Sequence, residues 1–288
     1  MCVEAGMTDV STSDEPKPYL VIRPPSRWAV VNLRELWEFR DLANRFVVRD
    51  LKLRYRQTAL GLIWVVLQPL LAAGAFAFVF GKVAGLSSEG VPYFAFAYAG
   101  MLAWNLFNGA LTRMSGSLVG NAQLVSKIFF PRLVLPLSTL GSVLVDFAVA
   151  LVMGVVVLGV AGVSPGWAAL TLPLWLTLIT VLAAGLGLLC AALMVPYRDV
   201  SYVLPVATQL LLYASPIAYA LSSVPASARG WIQLNPLTGV LEGFRWSTLG
   251  VGELRMGATV WSLVCAMVLF LLGTFVFTRM ERRFADVI

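Results

Sequence analysis

The stretch LPLSTLGSVLVDFAVALVMGVVVLGV, Leu135 to Val160, decides the fold class. It holds one ionisable side chain, Asp146, in a run longer than the roughly 20 apolar residues a helix needs to cross a bilayer. Its apolar residues are continuous, whereas a membrane barrel strand alternates apolar and polar positions. The rest of the chain has the same character: of 288 residues, 59% are hydrophobic and only 12% are charged. A soluble domain carries about 25% charged residues, and one core of this size cannot cover so much apolar surface. These features predict an all-α integral membrane protein and exclude a soluble domain, a disordered chain and a fibrous one.

Working outward from this run, two spans are expected before it, Leu60–Phe80 and Tyr93–Leu111, and three after it, Trp167–Val195, Val200–Ala220 and Ala258–Phe277. The fourth is longer than a crossing needs, so it tilts or breaks near Pro173. Pro205 and Pro216 should kink the fifth. The expected organisation is a disordered cytoplasmic tail over 1–31, an amphipathic interface helix over 32–57 and a six-span domain over 58–288. The tail is polar and acidic and has no basic-then-apolar order, so it does not read as a signal peptide. Six spans leave both ends on one side. Among lysines and arginines only Lys82, Arg229, Arg245 and Arg255 fall on the opposite side. The positive-inside bias therefore places the N and C termini in the cytoplasm.

Several chemistries are closed to this chain. It has no histidine, so imidazole acid–base and metal chemistry is absent. Its cysteines, Cys2, Cys190 and Cys265, lack metal-ligand spacing. The net charge of +6 arises from cations that flank apolar runs, which points to membrane lipids and not to nucleic acid. Gly81-Lys82 is followed by Val83 and lacks the earlier glycine of a phosphate loop, so ATP and magnesium would have to bind on a separate subunit. No inverted repeat of the kind found in secondary carriers stands out.

Five features are candidates for function. In residues 32–57, Asn32 and Glu35 fit a capping box, and Leu36, Phe39, Ala43, Phe46 and Val47 form an apolar stripe. Arg45, Arg49, Lys52, Arg54 and Arg56 supply a basic remainder suited to anionic headgroups. A basic helix packed on a soluble partner is the plainer alternative. The run Asn121-AQLVSKIFFP-Arg132 mixes Leu124, Ile128 and Phe129 with Ser126, Lys127 and Arg132, a composition that fits a partner's groove or a headgroup layer. Asp146 lies about 15 Å into its span, near the midplane. It reads as a structural acid paired with a cation such as Arg113, or as the proton site of an ion-coupled carrier. Trp64, Phe76, Trp104, Phe107, Tyr213 and Tyr219 are aromatics in or beside the spans, which serve packing or line a path for sugar rings. Residues 221–250 are apolar but interrupted, and predict two short helices, about 225–233 and 236–249, that dip in and return. Asn235 would cap the second, Pro236 would open it, and Glu242 would pair with Arg245.

Further motifs carry a family resemblance. Arg49-DLKLRYRQTALGLI-Trp64 with Gln68-Pro-Leu70, then Leu124-VSKIFFP-Arg132, Tyr197-Arg-Asp-Val200, Ser215-Pro-Ile217, Asn235-Pro-Leu237 and Glu281…Phe284-Ala-Asp286 occur in one order. Together they resemble the ABC-2 type permeases that export polysaccharides, among them O-antigen, capsule, teichoic-acid and galactan exporters. The resemblance covers about residues 30–288. It implies a permease homodimer in the bacterial inner membrane, with two ATPase subunits and a lipid-linked glycan as substrate. It implies that 121–132, together with Arg198 and Asp199, couples to the ATPase, and that Trp231, Asn235, Pro236, Glu242 and Arg245 belong to an outer gate. Arginine well in excess of lysine makes the chain similar to actinobacterial members, which include galactan exporters. An ABC-2 exporter of a drug or lipid is the alternative within the family.

Overall fold

A computed structural model describes residues 33–56, 61, 63–252, 254–281 and 284. The tail over 1–31 and the capping box of Asn32 and Glu35 lie outside the described residues and side chains. Among those described, the fold is entirely helical. Helix α1 (Leu33–Glu38) and α2 (Arg40–Tyr55) are separated by a turn at Phe39. Then come α3 (Ile63–Phe76), prolonged by a π-helical turn over Ala77–Val83, α4 (Tyr93–Gly120), α5 (Ala122–Lys127) and α6 (Val134–Val160). A 3₁₀ turn, Gly166–Thr171, leads into α7 (Leu172–Met194), followed by α8 (Val200–Ala214), α9 (Ala226–Leu234), α10 (Pro236–Leu249) and α11 (Met256–Met280).

Four of these are long and apolar enough to cross a membrane: α3 with its π-helical end, α6, α7 with its leading turn, and α11. Two expected spans differ from that pattern. Helix α4 is the longest, at 28 residues, but it mixes Tyr93, Asn108, Arg113, Ser115 and Ser117 into its apolar sequence. Helix α8 is apolar but only 15 residues long, ending at Ala214 and not at Ala220. The break expected near Pro173 is the 3₁₀ turn ahead of α7. Pro173 itself sits in the first helical turn, where a missing N–H costs nothing.

Buried side chains form three layers. Phe46, Leu118, Phe130, Val134, Ala192 and Phe277 mark one end, hereafter the α5 end. Tyr98, Phe107, Val143, Phe147, Ile179 and Phe244 fill the middle. Phe96, Ala99, Ala220 and Leu249 close the other end. Thus α4 and α11 run toward the α5 end, α6 runs away from it, and α7 returns to it. The most extensive helix contacts join α7 to α11 and to α4. Small residues set the closest approach, as in membrane bundles generally. A Cβ on Gly273 would stand 2.1 Å from the Gly185 carbonyl oxygen, and one on Gly239 would stand 2.4 Å from that of Ala258. These two crossings bring α11 against α7 and α10.

Candidate functional site

Asp146, on the α6 face that meets α2 and α4, holds a cluster of polar side chains. Arg54 Nη1 donates to its Oδ2 at 2.8 Å and Arg113 Nη2 donates to the same oxygen at 2.5 Å. The Tyr55 hydroxyl donates to Oδ1. Arg113 Nη1 also reaches Ser142 Oγ at 3.3 Å. Asp146 is buried, whereas the Arg54 side chain is 47% exposed and that of Arg113 27%. Burial, and then the bond to Asp146, raises the pKa of the Tyr55 phenol well above its ordinary value, so it stays a donor. Helix α2 reaches this point by running along α6. Phe46 meets the Phe130 ring edge-on at 5.9 Å, Val47 covers Gly141, and Arg54 and Tyr55 arrive at Asp146. The expected Arg113 pairing is present, and Arg54 and Tyr55 join it. Arg49 pairs with Asp50 at 2.9 Å and lies over the Phe46 ring, while Arg45, Lys52 and Arg56 are exposed.

At the α5 end, the segment after α4 presents a knob. Ser126, Lys127, Ile128 and Phe129 are exposed, with Ile128 and Phe129 more than half open, and Leu124 is partly buried. Val125 and Phe130 anchor the knob beneath. Arg132 is turned inward: its backbone N–H donates to Glu281 Oε1 at 2.8 Å, and its guanidinium donates to the Glu281 carbonyl. The chain just after α11 therefore braces the knob, with Phe284 edge-on to Phe277. Arg198 and Asp199 are exposed in the turn between α7 and α8. The Arg132–Glu281 tie had no local signal, because its partners lie 149 residues apart.

At the opposite end, α9 and α10 form the expected helix pair within a residue of the expected bounds. Asn235 Oδ1 accepts from the Leu237 N–H at 3.0 Å, and its Nδ2 donates to Ser215 Oγ at 2.9 Å. Pro236 opens α10. Arg245 is almost wholly buried. It donates to Glu242 at 3.1 Å and to the Pro216 and Ile217 carbonyls, and stacks on the Phe96 ring at 4.0 Å. It thus joins α10 to the end of α8 and the start of α4. Trp231 stands exposed on α9.

The six aromatic candidates are not brought together. Trp104 and Phe107 are core residues, in contact with each other at 5.8 Å. Phe76 is half-buried against Phe80, Tyr219 is half-buried, and Trp64 and Tyr213 are exposed. Tyr213 shares the sparsely covered α8 with Tyr202, also exposed.

The described residues thus form a bundle of apolar helices with a braced knob at one end and a capped helix pair at the other. Residues 44–249 match the family described as ABC-2 type transporter, and the chain belongs to that family. It is 28% identical over 253 residues to the O-antigen export system permease protein RfbA of Klebsiella pneumoniae, covering 86% of this chain and 95% of that protein. It is 30% identical over 216 residues to RfbA of Myxococcus xanthus, covering 74% and 82%. It is 22% identical over 200 residues to the polysialic acid transport protein KpsM of Escherichia coli, covering 68% and 76%.

Proposed function

We propose that this chain is the transmembrane subunit of an ABC exporter that moves a lipid-linked polysaccharide across the bacterial inner membrane. The near end-to-end likeness to an O-antigen export permease carries this reading, since the match spans 95% of that relative. In this reading six helices cross the bilayer: α3, α4, α6, α7, α8 and α11. The alternating helix directions support it, as does the position of Arg113 and α5 at one end. The tail over 1–31 and both termini lie in the cytoplasm, and α2 forms the interface helix. Two copies pair, and each engages an ATPase subunit that binds ATP and magnesium.

The exposed knob of Lys127, Ile128 and Phe129, with Arg198 and Asp199, docks on that ATPase. Apolar side chains held up by a buried footing suit a groove better than water. The complex reconstituted in vesicles should export a lipid-linked glycan only with its ATPase and ATP. Phe129→Asp should leave the permease folded and hydrolysis measurable, but cut export by about tenfold or more, a loss of roughly 1.4 kcal/mol in coupling. Export by the permease without the ATPase would refute the reading.

Helices α9 and α10 form the outer gate, with Trp231, Asn235, Pro236, Glu242 and Arg245 as its parts. Glycan rings pass along exposed aromatics, Trp64 and Tyr213 among them, with the half-buried Phe76 and Tyr219 at other points of the path, while Trp104 and Phe107 pack the core. Single cysteines placed from 226 to 248 should react with impermeant reagents from outside the cell or not at all. Labelling of any of them from the cytoplasm would overturn both the gate and the six-span topology.

A further inference from the structure

The Asp146 cluster does not balance. Two guanidinium groups converge on one carboxylate oxygen, so the cluster keeps one positive charge. Among the described residues no second carboxylate pairs with Arg54 or Arg113. Asp50, the nearest acid in the chain to Arg54, is taken by Arg49. An arginine has five N–H donors, and one bond to Asp146 leaves most of those on the half-exposed Arg54 side chain facing outward. Uncompensated charge within a membrane protein is costly and is met by a partner.

The level of the cluster indicates which partner. At about 1.5 Å per residue, Arg113 lies roughly 30 Å along α4 from Tyr93, the thickness of the hydrocarbon core. Arg113 therefore lies toward the α5 end of α4, seven residues before its last residue, and reaches to Asp146. The α2 helix, which delivers Arg54, carries the exposed cations Arg45, Lys52 and Arg56. Asp146 itself lies beside Val143 and Phe147 of the middle layer, and the two arginines come to it from the side of the α5 end, so the surplus charge faces the leaflet at that end.

We propose that Arg54 and Arg113, held in place by Asp146, form a binding site for the phosphate or diphosphate of a membrane lipid. The guanidinium fork matches phosphate oxygens in pairs, and Asp146 orients both forks while leaving one charge to be neutralised. Tyr55 holds the other carboxylate oxygen and keeps Asp146 from turning. The phosphate can come from a bulk phospholipid or from the diphosphate of a lipid-linked glycan carrier. The second source rests on the export reading.

The test uses the full chain in phosphatidylcholine nanodiscs and three radiolabelled probes: farnesyl diphosphate, phosphatidylglycerol and inorganic diphosphate. The parent should retain at least one of the two lipids, and Arg54→Gln should weaken that retention about tenfold. Arg54→Lys should recover part of it, as a point charge without the fork. Asp146→Asn, read only on its monodisperse fraction, should bind more tightly than the parent, because two cations then face the anion. A purely structural ion pair predicts no such gain. Preference for farnesyl diphosphate assigns the site to the carrier lipid, and equal or better retention of phosphatidylglycerol assigns it to headgroups. Binding of inorganic diphosphate alone, or retention of both lipids unchanged in folded Arg54→Gln, overturns the proposal. No ATP or ATPase is present, so intact binding here, beside failed export by the complex reconstituted in vesicles, counts against the export reading alone.

Discussion

Gly273→Ala is expected to destabilise the protein by about 3 kcal/mol, near the upper end for forced overpacking. The added Cβ would lie 2.1 Å from the Gly185 carbonyl oxygen, and Gly185 in turn stands against the backbone of Leu269 and Phe270. Backbone faces backbone on both sides, so no flexible side chain can move aside. Helices α7 and α11 would have to part along the most extensive contact in the bundle. Gly257→Ala on the same helix is the control, since nothing lies within 4 Å of its added carbon. Detergent-solubilised protein, heated and assayed for its monodisperse fraction, should lose Gly273→Ala well below the parent and keep Gly257→Ala beside it. Equal behaviour of the two variants would mean that the helices do not cross so closely.

Asp146→Asn should cost about 2–4 kcal/mol, because removing one member of a buried pair leaves the other charge unmatched. Partial exposure of Arg54 and Arg113 moderates the loss, since both can turn toward water or headgroups. Tyr55→Phe should cost about 1 kcal/mol, the net worth of one hydrogen bond. Expression and thermal midpoint should therefore fall in the order parent, Tyr55→Phe, Asp146→Asn. The dependence of export on external pH should stay unchanged in both. A folded Asp146→Asn protein that had lost only a proton-coupled activity would instead make this residue a carrier site, as in an ion-driven transporter.

The sequence made some of this architecture legible and hid the rest for identifiable reasons. Long apolar runs marked α3, α6, α7 and α11 because lipid imposes that composition directly. Helix α10 was readable from Asn235 and Pro236, since capping chemistry is local. The Glu242–Arg245 and Arg113–Asp146 pairs followed from helical spacing and from the need of a buried acid for a cation. The extent of α4 past Leu111 was hidden, because Arg113, Ser115 and Ser117 read as the end of a span. In the fold, Ser115 and Ser117 bond back to the carbonyls of Leu111 and Met114, and α7 covers that face. Arg54 at Asp146 was equally hidden, its partner lying 92 residues away. Trp104 and Phe107 show the limit of periodicity: a pattern places an aromatic on a helix face but does not say whether that face meets a core or a path.

The pairing of Gly185 with Gly273 also bears on how the chain is made. Helices leave the ribosome in order, so α7 enters the membrane with its glycine face bare and waits while α8, α9 and α10 are synthesised. Arg245 likewise finds the carbonyls of Pro216 and Ile217 behind it, already made, but Gly239 must wait for Ala258. The α7 and α10 faces therefore close only when α11 arrives, and the tie from Arg132 to Glu281 is completed just after that helix ends. A nascent chain halted before Met256 should be cleared by membrane proteases faster than the finished one, as a pulse–chase comparison would show. Packing of α11 would then separate a stalled chain from one that has passed Met280, the stalled chain being the looser of the two.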